Sequence, residues 1–175
     1  MLLDLSELLS GRTKTKTYHA VVEMEQFDTG TEVYGVKKAS EPYITITETG
    51  AKKFLVTCEG NITLVIPCGR CLADVDTYIE YQIEREIDFN DEDELSDERL
   101  EEMSYIDGYH LDVDKLVYSE VLIDVPLRVL CSEDCKGLCY KCGANLNKGE
   151  CGCDRVQLDP RMSVIQDIFK NFKEV

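Results

Sequence analysis

The sequence lacks tryptophan, contains only two histidines and has no long apolar run. A membrane-spanning helix needs roughly 20 consecutive apolar residues, so we do not expect an integral membrane protein. The first residues, 1–9, carry acids and lack both a basic start and a small-residue cleavage site. We therefore expect a cytoplasmic protein without a secretory signal.

Motifs of nucleotide and acyl-transfer enzymes are also missing. The sequence contains neither a glycine-rich phosphate-binding motif nor the G-x-S-x-G nucleophile motif. His19 and His110 lie outside any nucleophile motif, and we expect each to be structural or to face solvent. These absences favour a protein that is not an enzyme and has no small-molecule substrate.

Basic residues are in the minority. Lys and Arg total 19 against 35 Asp and Glu, which gives a formal net charge of −16. Non-specific binding to nucleic acid depends on cations that displace counterions from phosphates, so this charge argues against it. More than half of the net charge lies between Glu84 and Glu102. We interpret segment 89–102 as a solvated loop or frayed helix, with an acidic docking site for a basic partner as the alternative.

Alternation of apolar and polar residues predicts an antiparallel sheet in the first half of the chain. Segment 11–17 is expected to be a polar loop, and Gly60 suggests a bulge or hairpin bend within its strand. Strands with one apolar and one polar face suit an antiparallel sheet. The predicted strands cover residues 18–27, 32–37, 43–48, 53–66 and 74–87.

Helical spacing predicts three helices, at residues 4–10, 112–124 and from 159 onward. Asp112 is a candidate N-cap, and Asp159-Pro160 is a cap followed by proline at the first helical position. The predicted fold class is α+β, with an antiparallel sheet that could close into a barrel-like form. We divide the chain into a β-rich domain (1–130), a zinc-binding module (131–158) and a C-terminal helix (159–175).

The nine cysteines are the strongest signal in the sequence. Disulfides do not persist in reducing compartments, so clustered cysteines in a cytosolic protein indicate metal ligands or catalysis. Structural zinc takes four thiolate or imidazole ligands in a tetrahedron. We predict eight metal ligands: Cys68, Cys71, Cys131, Cys135, Cys139, Cys142, Cys151 and Cys153.

The most specific set is Cys139, Cys142, Cys151 and Cys153, two close pairs separated by eight residues. The remaining four ligands suggest a second, long-range site that joins the β-region to the C-terminal segment. A competing partition has a single C-terminal site that also draws on Cys135 and leaves Cys68 and Cys71 as a free pair. One or two Zn²⁺ per chain are therefore expected.

Two other interpretations of the cysteines stay open. The Cys68-x-x-Cys71 pair could be redox-active, but this chemistry needs a helix N-terminus to lower the thiol pKa, and a strand is predicted there. Cys58 shares strand parity with core residues, and we expect it to be buried.

Several cations flank the cysteines and could contact RNA, although ordinary solvated charges are the simpler explanation: Arg70, Arg128, Lys136, Lys141, Lys148, Arg155 and Arg161.

The motifs resemble those of a known family. They are Cys68-Gly-Arg-Cys71-Leu72, Asp124-Val-Pro126-Leu127, the cysteine-rich run from Cys131 to Cys153 with Asn145-Leu146-Asn147, and Asp159-Pro160-Arg161. Together they resemble the YceD family of bacterial and plastid proteins, named for large ribosomal RNA subunit accumulation. The resemblance implies a role in accumulation of 23S ribosomal RNA and in biogenesis of the large ribosomal subunit.

These observations lead to a functional hypothesis. We expect a non-enzymatic zinc protein whose acidic surface contacts a basic ribosomal protein or a large-subunit assembly factor, since charge complementarity steers such encounters. Direct binding of 23S ribosomal RNA through the zinc module is the first alternative. A redox-sensitive switch that releases zinc is the second.

Overall fold

The computed structural model describes residues 1–89 and 104–154. In these two ranges no helix combines the length and the apolar character needed to cross a membrane. The helices are α1 (Ser6–Leu9) and α2 (Val113–Asp124). The strands are β1 (Leu2–Asp4), β2 (Thr15–His19), β3 (Gln26–Asp28), β4 (Val33–Ala39), β5 (Tyr43–Gly50), β6 (Lys53–Pro67), β7 (Asp74–Asp88), β8 (Ile106–Asp107) and β9 (His110–Asp112).

Strand β6 is the centre of the main sheet. Its whole length pairs with β7, from Lys53↔Asp88 to Pro67↔Asp74. Its other edge pairs first with β5 and then with β4, so these two strands follow one another along β6. Strands β2 and β3 extend the sheet beyond β5 and β4. A small second sheet has the order β1-β9-β8, and every pairing in both sheets is antiparallel.

The main sheet is open, and the expectation of a barrel-like closure is wrong. Strand β7 lies at one edge, and its ladder within the described ranges is with β6. The physical reason is that other elements cover the apolar face. Helix α2 contributes Leu116 and Val121 to the same core as Ile46, Val56 and Ile83 of the sheet. The core is therefore closed by a helix and the small sheet rather than by strand pairing.

The strands β6 and β7 confirm the predicted alternation, since their buried side chains all lie on one face of each strand. The bulge or bend expected at Gly60 is not present, since the register with β7 is continuous through this residue. Gly60 instead makes room for another side chain. A Cβ there would lie 2.5 Å from Tyr81 Cζ and 2.7 Å from Ser40 Oγ.

The predicted strand over 18–27 is wrong in its middle, and the predicted loop over 11–17 is wrong from Thr15 onward. Strands β2 and β3 pair with different strands, β5 and β4, which are themselves separated by residues 40–42. The chain must cross that gap without a ladder. Isolated hydrogen bonds support the crossing, from Ala20 N–H to Pro42 O and from Val36 N–H to Glu25 O.

The second predicted helix is confirmed as α2. The Asp112 side chain accepts hydrogen bonds from the N–H groups of Asp114 and Lys115, as expected of an N-cap. The first predicted helix is present as the shorter α1. Nearly all of the acidic segment 89–102 and the predicted helix from 159 onward lie outside the described residues.

Candidate metal-binding sites

The first cysteine pair lies in the loop that joins β6 to β7, at the tip of the longest hairpin. The Cys68 N–H donates to Ala73 O at 2.8 Å, and the Leu72 N–H donates to Cys68 O at 2.9 Å. These two hydrogen bonds close a tight turn. Cys68 and Cys71 are both buried. The pair is placed by a hairpin loop and not by a helix N-terminus, so the geometry expected of a thioredoxin-like redox pair is absent here.

Cys131 and Cys135 reach the same hairpin tip from the segment after α2. The Sγ atoms of Cys68 and Cys135 are 3.8 Å apart, and those of Cys71 and Cys131 are 3.5 Å apart. All four sulfurs lie within 4.8 Å of one another. A tetrahedron with Zn–S bonds of about 2.3 Å has sulfur–sulfur edges of about 3.8 Å. These four cysteines, the hairpin group, could hold a metal ion.

The sulfurs of Cys139, Cys142, Cys151 and Cys153 form a second set within 4.8 Å of one another, here called the C-terminal group. Its first pair is held by a turn in which the Gly143 N–H donates to Cys139 O at 2.8 Å. Gly143 has a φ of 72° and Gly152 a φ of 68°, a conformation that glycine adopts without steric cost. This group could also hold a metal ion.

Two sulfurs of the hairpin group accept hydrogen bonds from N–H groups. The Cys131 N–H donates to Cys68 Sγ at 3.4 Å, and Asn147 Nδ2 donates to Cys135 Sγ at 3.2 Å. The Asn147 contact lowers the pKa of Cys135, because the amide stabilises the thiolate. Such donors around a metal–thiolate site orient the ligands and tune them.

Backbone N–H groups lower the pKa of one buried thiol in each group. The N–H of Arg70 is the largest cause of a pKa of about 6 for Cys68. The N–H of Cys142 plays the same part for Cys139, whose pKa is also about 6. Each group therefore contains a thiol whose surroundings favour the thiolate, which is the form that binds metal.

In each group a second thiol keeps its proton to higher pH, because it is hydrogen-bonded to a neighbouring sulfur. The hydrogen bond with Cys135 is the largest cause of a pKa of about 12 for Cys131. The hydrogen bond with Cys142 raises the pKa of Cys153 to about 12 in the same way. Four close sulfurs cannot all be ionised without a cation to offset their charges, and a divalent metal ion would replace these shared protons.

Arg70 has a structural role at the hairpin group. Its Nη1 donates to Cys135 O at 2.9 Å and to Glu133 O at 3.2 Å, and its own carbonyl accepts from the Leu138 N–H at 3.1 Å. The Arg128 side chain lies against Gly69, where a Cβ would be 3.1 Å from Arg128 Cγ. Both arginines therefore pack around the hairpin tip.

The other lysines and arginines that flank the cysteines differ in where they lie. Lys136, which follows Cys135 of the hairpin group, and Lys141 and Lys148, which lie between cysteines of the C-terminal group, are exposed, whereas Arg155 and Arg161 lie outside the described residues. The two histidines are exposed on strands, with His19 Nε2 3.4 Å from a Glu41 carboxylate oxygen.

Asn147 and Leu72 stand in the motifs quoted above, but no role at the site was predicted for either residue. An amide side chain in a cysteine-rich loop gives no sign of which sulfur it contacts, because Cys135 is twelve residues away. The position of Leu72 in its cysteine motif could have indicated an unusual backbone conformation. It occupies the position after the second cysteine of its pair, where Gly143 stands in the other pair, and it has a φ of 57°.

Comparison with known proteins places these groups in a family context. A family model described as large ribosomal RNA subunit accumulation protein YceD matches residues 56–169, which include all eight clustered cysteines. A chloroplastic YCED homolog 1 from Arabidopsis thaliana, also named a large ribosomal RNA subunit accumulation protein, is 41% identical over 49 residues, covering 28% of this chain and 15% of the relative.

Bacterial relatives match over longer stretches at lower identity. YlbN of Bacillus subtilis is 24% identical over 112 residues, 63% of either chain. An uncharacterized Mycobacterium tuberculosis protein is 27% identical over 123 residues, 69% of this chain and 58% of the relative. The chain thus spans less than two thirds of the length of each of these three relatives. No solved structure matches it.

Proposed function

The chain belongs to the YceD family of large ribosomal RNA subunit accumulation proteins, and from that premise we propose that it is a non-enzymatic, zinc-binding factor in 23S ribosomal RNA accumulation and large-subunit biogenesis. The family name supports the ribosomal role. The single observation that supports zinc is the arrangement of eight sulfurs in two sets of four. Within each set the sulfurs lie within 4.8 Å of one another. Four thiolates in a tetrahedron favour zinc among the common divalent metals.

Zinc would act as a structural ion in this proposal. At the hairpin group, Cys68 and Cys71 would hold it from the β6–β7 loop, and Cys131 and Cys135 from the segment after α2. The ion supplies the cross-link between parts of the chain that are 60 or more residues apart. Closing so long a loop removes conformational entropy from the unfolded chain, which stabilises the folded arrangement.

The proposed partner is a basic protein of the large subunit or of its assembly machinery. The outward side of β7 displays a row of exposed acids, Asp74, Asp76, Glu80, Glu84 and Glu86. Lys37 of β4 pairs with Asp76. With a net charge of −16, the molecule would attract a cationic partner and steer its approach.

The decisive experiment combines metal analysis with depletion of the protein in cells. Elemental analysis of the purified chain is expected to give two zinc ions per molecule. Depletion is expected to lower 23S ribosomal RNA and the large-subunit peak on sucrose gradients, and wild-type protein should restore both. Normal gradients and normal 23S levels after depletion would contradict the ribosomal role, whereas a chain without metal would contradict only the zinc part.

The acidic-partner proposal has its own test with a matched control. Glu80→Gln, Glu84→Gln and Glu86→Gln together remove three charges from the β7 face. Glu23→Gln, Glu25→Gln and Glu32→Gln remove three exposed charges elsewhere. We expect only the β7 variant to fail in restoring large-subunit levels. Equal rescue by both variants would contradict a docking role for the β7 face.

Direct RNA binding is a second candidate, favoured by the exposed Lys136, Lys141 and Lys148 of the cysteine-rich segment and by Tyr140, which is 56% exposed beside Lys141. Lysines bind phosphates, and an aromatic ring can stack on an unpaired base. Replacing the three lysines with alanine should then weaken binding to a 23S fragment and reduce its salt dependence. Unchanged binding in this variant would exclude the module as the RNA contact.

A further inference from the structure

The loop between the second and third cysteines of the C-terminal group folds back onto the hairpin group. Asn147 lies in this loop, and its side chain makes two contacts. Its Oδ1 accepts from the Lys136 N–H at 2.7 Å, and its Nδ2 donates to Cys135 Sγ at 3.2 Å. The Asn147 N–H in turn donates to Asn145 Oδ1 at 2.9 Å, which fixes the local turn.

Backbone contacts reinforce this arrangement. The Leu146 N–H donates to Gly137 O at 2.9 Å, and Leu138 forms an isolated antiparallel bridge with Asn145. Leu138 also packs against the buried cluster of Cys68, Cys71 and Cys135. The loop between Cys142 and Cys151 is therefore part of the immediate surroundings of the hairpin group.

The two ends of this loop are themselves ligand candidates of the C-terminal group. Cys142 precedes the loop and Cys151 follows it, so an ion bound by both would close a loop of eight residues. Closure restricts the loop before it meets the hairpin group, which lowers the entropic cost of placing Asn147 against Cys135. With the C-terminal ion removed, only the hydrogen bonds of the amide and of the loop backbone would order Asn147.

We propose that Asn147 couples the two cysteine groups, so that a metal ion in the C-terminal group raises the metal affinity of the hairpin group. The inference rests on the proposed metal binding and adds an order of dependence between the sites. Loss of an outer-shell partner commonly lowers metal affinity 10- to 100-fold, and we expect a change of about this size. Because coupling is reciprocal, emptying the hairpin group should lower the affinity of the C-terminal group by the same factor.

Two substitutions at one position separate the two contacts of the amide. Asn147→Asp keeps the oxygen that accepts from Lys136 N–H but replaces the sulfur donor with a carboxylate oxygen. Asn147→Ala removes both contacts. We expect both variants to bind zinc more weakly at the hairpin group, with the aspartate the weaker because its charge faces a thiolate. Lys148→Ala is the matched control. The hydrogen bond that this loop residue makes to Asn145 O uses its backbone N–H, which alanine keeps.

The measurement is a zinc titration of the full chain against a chromophoric chelator, with sites assigned from cobalt–thiolate absorption bands. A companion protein with Cys142→Ser and Cys153→Ser disables the C-terminal group. We expect the hairpin group of this protein to bind zinc about 10- to 100-fold more weakly. Adding Asn147→Ala to it should have little further effect, because the coupling has already been lost.

The outcomes distinguish the coupling from the metal binding itself. If the unsubstituted chain binds two zinc ions and the hairpin group of the companion protein binds its ion with an affinity unchanged within twofold, the coupling is overturned and the proposed zinc sites stay intact. Equal weakening by Asn147→Ala with and without the C-terminal group would also overturn it, since the amide would then act locally. A chain that binds no zinc or cobalt would overturn both proposals. Circular dichroism of each variant checks that the sheet is folded.

Discussion

Cys58 shows how burial separates one cysteine from the other eight. It lies on the inner side of β6 with 3% of its surface exposed, and burial raises its pKa to about 11. The eight clustered sulfurs instead lie in two sets of four, and within each set all sulfurs are within 4.8 Å of one another. The same residue type is therefore a core side chain in one place and a ligand candidate in another.

This difference predicts the reactivity of the thiols in the folded chain. The reagent must reach the sulfur, and Cys58 is enclosed in the apolar core, so it should react very slowly at pH 7.5 with a chromogenic disulfide reagent. Chelation without denaturant should loosen residues 131–154 and break the sulfur–sulfur contacts that raise the pKa of Cys131 and Cys153. We therefore expect eight fast thiols and a ninth that reacts only on unfolding. Cys58→Ala should leave the fast count unchanged. Nine fast thiols in folded protein would show that Cys58 is accessible.

Leu72 stores local strain at the hairpin tip. Its φ of 57° is costly for a residue with a Cβ, and its side chain is 66% exposed, so packing offers little in return. We expect Leu72→Gly to raise the free energy of unfolding, because it relieves a strain of about 1 kcal/mol. The gain is reduced by the greater conformational entropy that glycine gives the unfolded chain. Thermal unfolding of metal-loaded protein measures this change.

Leu127→Gly is the control for that substitution. Leu127 is fully exposed but is not among the residues with positive φ. Glycine there should leave stability unchanged or lower it slightly, because no strain is relieved. Equal effects of the two substitutions would mean that the conformation of Leu72 is not the cause.

At the scale of elements, the pairing of β6 with β7 depends on a missing side chain. Tyr81 of β7 lies over Gly60 of β6, directly opposite it in the register. Tyr81 is 3% exposed, so its ring fills space in the core that a larger residue at position 60 would need. The hairpin that carries Cys68 and Cys71 at its tip is thus packed tightly at its midpoint.

Gly60→Ala should therefore destabilise the sheet. The added methyl group would force Tyr81 and Ser40 to move, and overpacking of this kind costs about 1–3 kcal/mol. Gly35→Ala in β4 is the matched control, because a Cβ there has no neighbour within 4 Å. Urea unfolding of both variants tests the difference. A midpoint for Gly60→Ala equal to that of Gly35→Ala would contradict the packing argument.

At the scale of the whole molecule, the apolar core and the cysteine-rich segment are separate. One buried cluster spans the main sheet, the small sheet and both described helices. A second, small cluster consists of Cys68, Cys71 and Cys135 with Val75, Leu130 and Leu138 around it. The sheet has its own source of hydrophobic stability, whereas residues 131–154 depend on the sulfur groups and a few hydrogen bonds.

Metal removal should therefore loosen one part of the chain and spare the other. We expect chelation to make residues 131–154 sensitive to protease while the far-ultraviolet circular dichroism of the sheet persists. Cys139→Ser with Cys151→Ser should increase cleavage in this segment even with zinc present. Loss of the sheet signal on chelation would show instead that the ions support the whole fold.

Much of this architecture could be predicted from local patterns. Strands β6 and β7 and helix α2 follow from alternation or helical spacing within single segments, and Asp112 caps its helix through contacts two and three residues away. The C-terminal cysteine set was predicted because its members lie within 15 residues. Periodicity and short spacing are properties of neighbouring residues, so they can be read without knowing the fold.

Other features were decided by contacts between distant residues. The break between β2 and β3, the open edge of the sheet and the room that Gly60 leaves for Tyr81 all depend on which strands meet. The placement of Asn147 against Cys135 depends on how one loop folds over another. Local sequence carries the preference of each segment, but the partner of each segment is chosen by packing in three dimensions, where alternatives of similar local energy compete.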